Sequence, residues 1–304
     1  MTFEVTVLGT SSALPAHFRH PSAQLVNHNH TYLLFDCGEG TQMQLQRFGL
    51  KRSKIEHIFI SHLHGDHYFG LPGLLTTLNL LRHEKPLHLY GPPALETILK
   101  TQFQASSLQL QLDLHFHPVP MESPSILVDN EAVTIYSLPL QHRIACVGFV
   151  VAEKERERKY NPKAGHEYGV PVEAINAIKK GADYTQPDGT VIPNRLLTQD
   201  PLPPRKYAYF TDTLPLTHWD AYLQGVDLLY HEATFLQEHA ERAAHTHHTT
   251  ALQAAQLAKR NQVGALLIGH YSAKYTDLTP LLEEAQSIFP HTQLATEGET
   301  YAIG

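Results

Sequence analysis

The sequence predicts a layered α/β protein, and two observations carry that prediction. Apolar runs of strand length alternate with segments whose apolar spacing is helical. Several of the strand-like runs end at once on polar or histidine-bearing loops, the pattern of strand ends gathered along one edge of a layered sheet. With 304 residues and 42% hydrophobic content, the chain can bury a sizeable core.

The elements follow in order. Phe3–Leu8 alternates as a strand and gives way to a loop of small residues and prolines, 9–21. Ser22–Val26 and Thr31–Phe35 read as a hairpin turning around Asn27-His28-Asn29. After Asp36-Cys37-Gly38-Glu39-Gly40 the spacing is helical through Phe48, and Ile55–Ser61 is a continuous apolar run of a buried strand. Helical periods at Leu71–His83 and Ala94–Gln104 flank a short strand, Leu87–Tyr90. Strand patterns resume at Leu108–Phe116, Ala132–Leu138 and Val147–Ala152. Residues 153–206 then become charged, rich in proline and glycine and poor in long apolar runs, which marks an extruded arm with a short helix near Val172–Lys180. Regular patterning returns as strand Tyr207–Phe210, strand Val226–Tyr230, helix Thr249–Asn261, strand Ala265–Ile268, helix Thr279–Phe289 and a last strand near Tyr301. The chain therefore reads as a single domain over 1–304 with an inserted arm at 153–206.

Composition narrows the class. No run approaches the roughly 18 apolar residues of a membrane span, and the start lacks the regions of a signal peptide, so a cytoplasmic location away from membranes is expected. Two cysteines, Cys37 and Cys146, give no disulfide framework. A formal charge of −7 argues against a general nucleic-acid binder while leaving room for a local basic patch. The 22 histidines are the unusual count, and their placement decides their meaning.

Ser61-His62-Leu63-His64-Gly65-Asp66-His67 sets imidazoles and a carboxylate directly after a buried strand, with Gly65 expected to permit a sharp turn. Four neighbouring donors exceed what one tetrahedral ion uses while keeping a position open, so two ions are expected to share this loop. Further donors stand at later strand ends: His142, Asp212 and His270. A carboxylate such as that of Asp212 can bridge two cations. Imidazole and carboxylate without thiolate suit zinc best, with manganese or iron as weaker options.

These residues carry a resemblance. The His62–His67 loop is similar to the HxHxDH signature of the metallo-β-lactamase superfamily. Asp36-Cys37-Gly38-Glu39-Gly40-Thr41-Gln42, His231-Glu232-Ala233-Thr234-Phe235, His248-Thr249-Thr250 and Gly269-His270-Tyr271-Ser272 resemble the ribonuclease Z family in particular. The resemblance implies an αββα sandwich with an extruded exosite arm, and a zinc-dependent endoribonuclease that removes the 3′ trailer of precursor tRNA. The products would be a tRNA 3′-hydroxyl and a trailer 5′-phosphate. It implies two zinc ions per chain, one on His62, His64 and His142, the other on Asp66, His67 and His270, with Asp212 between them. It also implies a homodimer in which the arm presents tRNA to the partner's site.

In catalysis the resemblance gives Asp66 the task of orienting the attacking water, His248 that of protonating the leaving oxygen, and Glu232 that of orienting His248. His245 and His247 are rivals for the proton, and His231 reads equally well as structural. Arg19, Lys274, Lys179 and Lys180 are candidate substrate contacts. The loop Pro15-Ala16-His17-Phe18-Arg19-His20 departs from the family's PxKxRN by placing histidines where lysine and asparagine are usual, and Lys274 stands where arginine is common. Competing expectations are a small-molecule or cyclic-nucleotide phosphodiesterase on the same fold, and a tRNA-binding module without catalysis.

Overall fold

The computed structural model describes residues 2–304. Two seven-stranded sheets form its centre. The first joins Phe3–Gly9, Ala23–His28, Thr31–Phe35, Ile55–Phe59, Leu87–Gly91, Leu114–Pro118 and, at its far edge, Thr300–Ala302. The second joins Ser125–Asp129, Val133–Leu140, Cys146–Glu153, Lys206–Phe210, Leu228–Glu232, Ala265–Gly269 and Thr292–Leu294.

Aromatic side chains fill the space between the sheets. Phe35 stacks on Phe59 at 4.9 Å and meets Phe149 and Tyr209 of the other sheet at 5.5 and 5.9 Å. Each sheet buries its other face under helices. Leu71, Leu74, Leu75 and Leu78 repeat at the spacing of one helical face and seal the first sheet. Each such leucine, fully buried, contributes about 1.5–3 kcal/mol. Ala251, Ala254, Ala255 and Ala258 do the same for the second sheet, where small side chains let the helix Ala251–Arg260 lie close. That helix starts at a capping box in which Thr250 and Gln253 satisfy each other's backbone N–H groups. The four layers are the αββα sandwich that the resemblance implied.

Several local expectations shift. The first hairpin turns at Asn29-His30, both in left-handed conformation, because the strand continues through His28. The predicted strand Leu108–Phe116 is paired only over Leu114–Pro118; Leu108, Leu110 and Leu112 pack on the helix layer without a ladder. The helix from Leu71 stops at Leu80, and Arg82 turns left-handed. Gly65 opens a short helix with no positive φ; a Cβ there would lie 2.2 Å from the Phe69 ring, so its role is to make room.

Glu131–Val133 and Ala152–Arg205 together form a smaller compact unit, distinct from the rest of the chain. It contains helices Pro162–Glu167, Val172–Lys179 and Asn194–Leu197 and two short antiparallel pairs. Ile178, Ile192 and Leu197 form its own apolar centre, flanked by Tyr160, Tyr168 and Tyr184. Asn194 is mostly buried and donates to the carbonyls of Ile178 and Ala182, both at 2.7 Å. The segment thus has a small core that its composition did not advertise.

Candidate metal centre and active site

Five strand ends of the sandwich deliver the polar residues. Ile55–Phe59 leads into the His62–His67 loop, Val133–Leu140 into His142, Lys206–Phe210 into Asp212, Leu228–Glu232 ends on Glu232, and Ala265–Gly269 leads into His270. The last three strands are parallel neighbours, so their ends lie side by side.

The seven expected ligands meet there in two sets. His62, His64, His142 and Asp212 offer one donor atom each within 4.8 Å of one another, as do Asp66, His67 and His270. Asp212 faces both sets. Its Oδ2 lies 3.5 Å from His62 Nε2 and 3.4 Å from His142 Nε2, while its Oδ1 lies 3.4 Å from His67 Nε2 and 3.0 Å from His270 Nε2. His64 Nδ1 is 3.1 Å from both His62 Nε2 and His142 Nε2. Asp66 Oδ2 is 3.5 Å from His67 Nε2 and from His270 Nε2. Donors about 2.0–2.1 Å from a tetrahedral ion stand about 3.3–3.4 Å from one another, close to the separations seen here.

The donor chemistry also fits a cation. His67 Nε2 and His270 Nε2 are buried and point into the cluster, where only the carboxylates of Asp66 and Asp212 face them as acceptors. Burial lowers the pKa of His62, His64 and His142, the last to about 4, which leaves lone pairs free. At His67 and His270 burial acts in the same sense, but the carboxylates around them prevail, and His270 is raised to about 10. Burial would raise Asp66 and Asp212, yet the facing imidazoles hold both below the usual carboxylate range. The carboxylates of Asp66 and Asp212 thus raise the proton affinity of the histidines that face them, the place a metal cation would take.

A second layer orients these rings. Asp36, fully buried and left-handed at φ 55, accepts from His67 Nδ1 at 2.7 Å, Tyr209 OH at 2.8 Å, Ser61 Oγ at 2.9 Å and Ser61 N at 2.8 Å. His142 Nδ1 donates to the His247 carbonyl at 3.0 Å. His270 Nδ1 lies 3.1 Å from the Thr234 hydroxyl, which donates to Glu232 Oε2 at 2.6 Å. In the sequence, Asp36 and Thr234 stand only as parts of motifs. Asp36 has a readable signal, a carboxylate directly after the apolar strand Thr31–Phe35; the role of Thr234 has none.

Glu232 and His248 form a pair at the edge of the cluster. Glu232 is fully buried; its Oε1 accepts from His248 Nδ1 at 3.0 Å and from the Thr213 N–H at 2.7 Å. Burial lowers the His248 pKa, but the Glu232 charge and hydrogen bond outweigh it and the net shift is upward. With Nδ1 engaged, Nε2 is the free nitrogen, and Asp212, His248 and His270 each bring a donor atom within 4.8 Å of the others. His245 is exposed and His247 half-buried, its carbonyl accepting from His142 Nδ1. His231 is buried one residue before Glu232, its Nδ1 on the Glu232 carbonyl at 2.7 Å.

Known proteins are similar to this chain over nearly its full length. Ribonuclease Z of Bacteroides thetaiotaomicron is 45% identical over 301 residues, covering 99% of this chain and 95% of that one. The ribonuclease Z of Cytophaga hutchinsonii is 46% identical over 304 residues, covering 100% and 97%. The chain belongs to the ribonuclease Z family. The crystal structure of the short form of human tRNase Z superposes with a TM-score of 0.74 at 28% identity, covering 99% of both chains. Residues 3–155 also match a family model described as anti-Pycsar protein Apyc1; that stretch holds the His62–His67 loop and His142 but ends before Asp212, Glu232, His248 and His270.

The remaining candidate residues of this ribonuclease Z family member lie in two places. Arg19 donates from Nη2 to the Tyr275 carbonyl at 2.8 Å and the Ser272 carbonyl at 3.4 Å, so part of its guanidinium fork is engaged by the loop after His270. On that same loop Lys274 is exposed and meets His239. In the smaller unit Lys179 pairs with Glu157 at 2.6 Å, while Lys180 is exposed. Among the described residues, no helix is long and apolar enough to cross a membrane.

Proposed function

We propose that this chain is a zinc-dependent endoribonuclease that removes the 3′ trailer from precursor tRNA. The observation that carries the reading is the split carboxylate of Asp212, with one oxygen turned to each of two donor sets. His62, His64 and His142 would hold one zinc, Asp66, His67 and His270 the other, and Asp212 would bridge. Two such ions, when bound, supply an activated water and neutralise charge at phosphorus.

The protein's own groups do the rest. Asp66 is fixed by the Ala13 N–H at 2.7 Å, which leaves its carboxylate aimed to orient the attacking water. His248, held protonated by Glu232, gives its Nε2 proton to the leaving 3′ oxygen of the tRNA. Glu232 is a positioning residue whose own geometry is set by Thr213 and Thr234. Lys274 would meet a phosphate of the substrate, and Arg19 holds the loop that carries Lys274. The arm, 153–206, binds the tRNA body with Lys179 and Lys180 among its cations, and in a homodimer it serves the partner's site. A cytoplasmic location accords with such a substrate.

The test is cleavage of a trailer-bearing precursor tRNA, run beside a small phosphodiester. Release of mature tRNA with a 3′-hydroxyl and of a 5′-phosphorylated trailer is expected. Turnover of the small phosphodiester alone would refute the assignment of tRNA as substrate.

A further inference from the structure

A second histidine cluster lies outside the metal centre, on three neighbouring parallel strands of the first sheet. Cross-strand register sets His57 beside His88 and His88 beside His115, while Tyr90 stands beside His117. Alternate residues of a strand share a face, so all four imidazoles lie on one face. His88 stacks on His57 and on His115, with ring centroids 5.1 Å apart in each pair, and is tilted by 33° to His117 at 5.2 Å. Tyr90 covers the His117 ring at 4.5 Å. Within this group His88 Nδ1 and His117 Nε2 are 3.0 Å apart.

We infer that His88 and His117 form a chelating site for a divalent transition metal ion, separate from the dinuclear centre. Two nitrogens at this separation have the bite of adjacent ligands on one ion, since bonds of about 2.0–2.1 Å at 90° to 110° span about 2.8–3.4 Å. Imidazole donors select copper, nickel or zinc over magnesium or calcium, and of the three copper binds most strongly. The rings are suited to it because metals take the neutral form. Burial lowers the pKa of both His88 and His117, and neighbouring imidazoles add to the effect. His88 and His117 are only partly buried, so solvent can complete the ion's coordination. His57 is more deeply buried, and its Nδ1 has no hydrogen-bond partner.

The alternative use of the same short separation is a proton shared between two neutral rings, and it makes opposite predictions. A chelated ion would tie Leu114–Pro118, the terminal strand of its sheet, to Leu87–Gly91 across 29 residues of chain. Binding to the folded state alone then raises stability by mass action. A shared proton gives neither extra metal nor metal-dependent stability.

The experiment uses the full-length protein with its dinuclear site filled with zinc, dialysed against excess free Ni2+. Wild type is expected to take up one nickel beyond an unchanged zinc content and to melt at a higher temperature with nickel than without. His88→Gln and His117→Gln should each lose both effects while keeping zinc content and phosphodiesterase rate. Gln keeps a polar side chain of similar length, and the melting temperature without nickel reports whether each variant is folded. Absence of the extra nickel in wild type, or its persistence in both folded variants, overturns the assignment.

Discussion

Asp36 offers the sharpest test of how the centre is held. It is not a proposed ligand, yet its Oδ2 takes three hydrogen bonds, from His67 Nδ1, Tyr209 and Ser61 Oγ, and its Oδ1 takes the Ser61 N–H. Replacing it by alanine leaves three buried donors without partners, counting His67, Tyr209 and the Ser61 N–H, because the Ser61 hydroxyl can still turn to His62 Nδ1 at 3.0 Å. At about 1–3 kcal/mol each, the cost is about 3–9 kcal/mol. That is comparable to the whole stability of a domain, about 5–15 kcal/mol. The alanine variant would confound folding with metal binding.

Asp36→Asn separates them. Asparagine can keep its oxygen toward His67, Tyr209 and Ser61 Oγ, which leaves its NH2 facing one donor, the Ser61 N–H. The expected loss of stability is then about 1–3 kcal/mol. The carboxylate's charge is lost behind His67, and removal of such an outer partner weakens metal affinity by about 10–100-fold, or about 1.4–2.7 kcal/mol. Competition against a chromophoric zinc chelator measures the affinity, and urea unfolding of the metal-free protein measures the stability. An asparagine variant that binds zinc as tightly as wild type would show that Asp36 serves the fold and does not tune His67.

Four further outcomes follow from the same geometry. Asp212→Ala should reduce zinc occupancy at both positions, because the two oxygens face different donor sets; elemental analysis showing both ions retained would end the bridging assignment. Glu232→Gln should move the alkaline limb of kcat to lower pH. His248 is raised above its ordinary 6.5, so its acid form and the stability of its pair with Glu232 are complete below 6.5 and are lost as pH rises through the raised value; an unmoved limb would remove His248 as the proton donor. Zinc loading near neutral pH should release protons, since burial lowers but the carboxylates raise His67 and His270; calorimetry in buffers of different ionisation enthalpy counts them, and a count of zero contradicts the raised proton affinity described. Deleting 153–206 should raise KM for precursor tRNA far more than for a small phosphodiester, and equal effects would make that segment structural.

The sequence disclosed the centre because its donors cluster. His62, His64, Asp66 and His67 sit within one loop, and His142, Asp212 and His270 each follow a short apolar run that reads as a strand. Proximity in sequence failed where partners come from distant strands. Thr213 reads as an ordinary polar residue, and only the side-by-side placement of parallel strand ends turns its N–H toward Glu232, while the same placement brings Thr234, two residues after Glu232, against His270. Edge strands were the weak point of the fold reading. Ser125–Asp129 has a half-buried, half-exposed pattern and Thr292–Leu294 is three residues long, so neither carries the alternation that marks a strand. Leu108–Asp113 had alternation and no neighbouring strand to pair with, because its leucines are taken up by the helix layer.

The same contrast explains why three histidines between 245 and 248 could be ranked but not resolved by pattern. The helix Ala240–Thr246 leaves His245 exposed on its last turn, and His247 closes that helix in a left-handed conformation. That turn reverses the chain, so His248 is the first residue directed back into the protein, where it is buried against Glu232 before Thr250 caps the next helix. His247 itself bears the left-handed penalty of roughly 1–2 kcal/mol that its Cβ imposes, and a glycine there would be free of it. The turn at His247 therefore does two things at once: its carbonyl fixes His142, and its backbone delivers His248 to the edge of the cluster. The helix boundary, more than the count of histidines, selects the one that reaches Glu232 and the cluster.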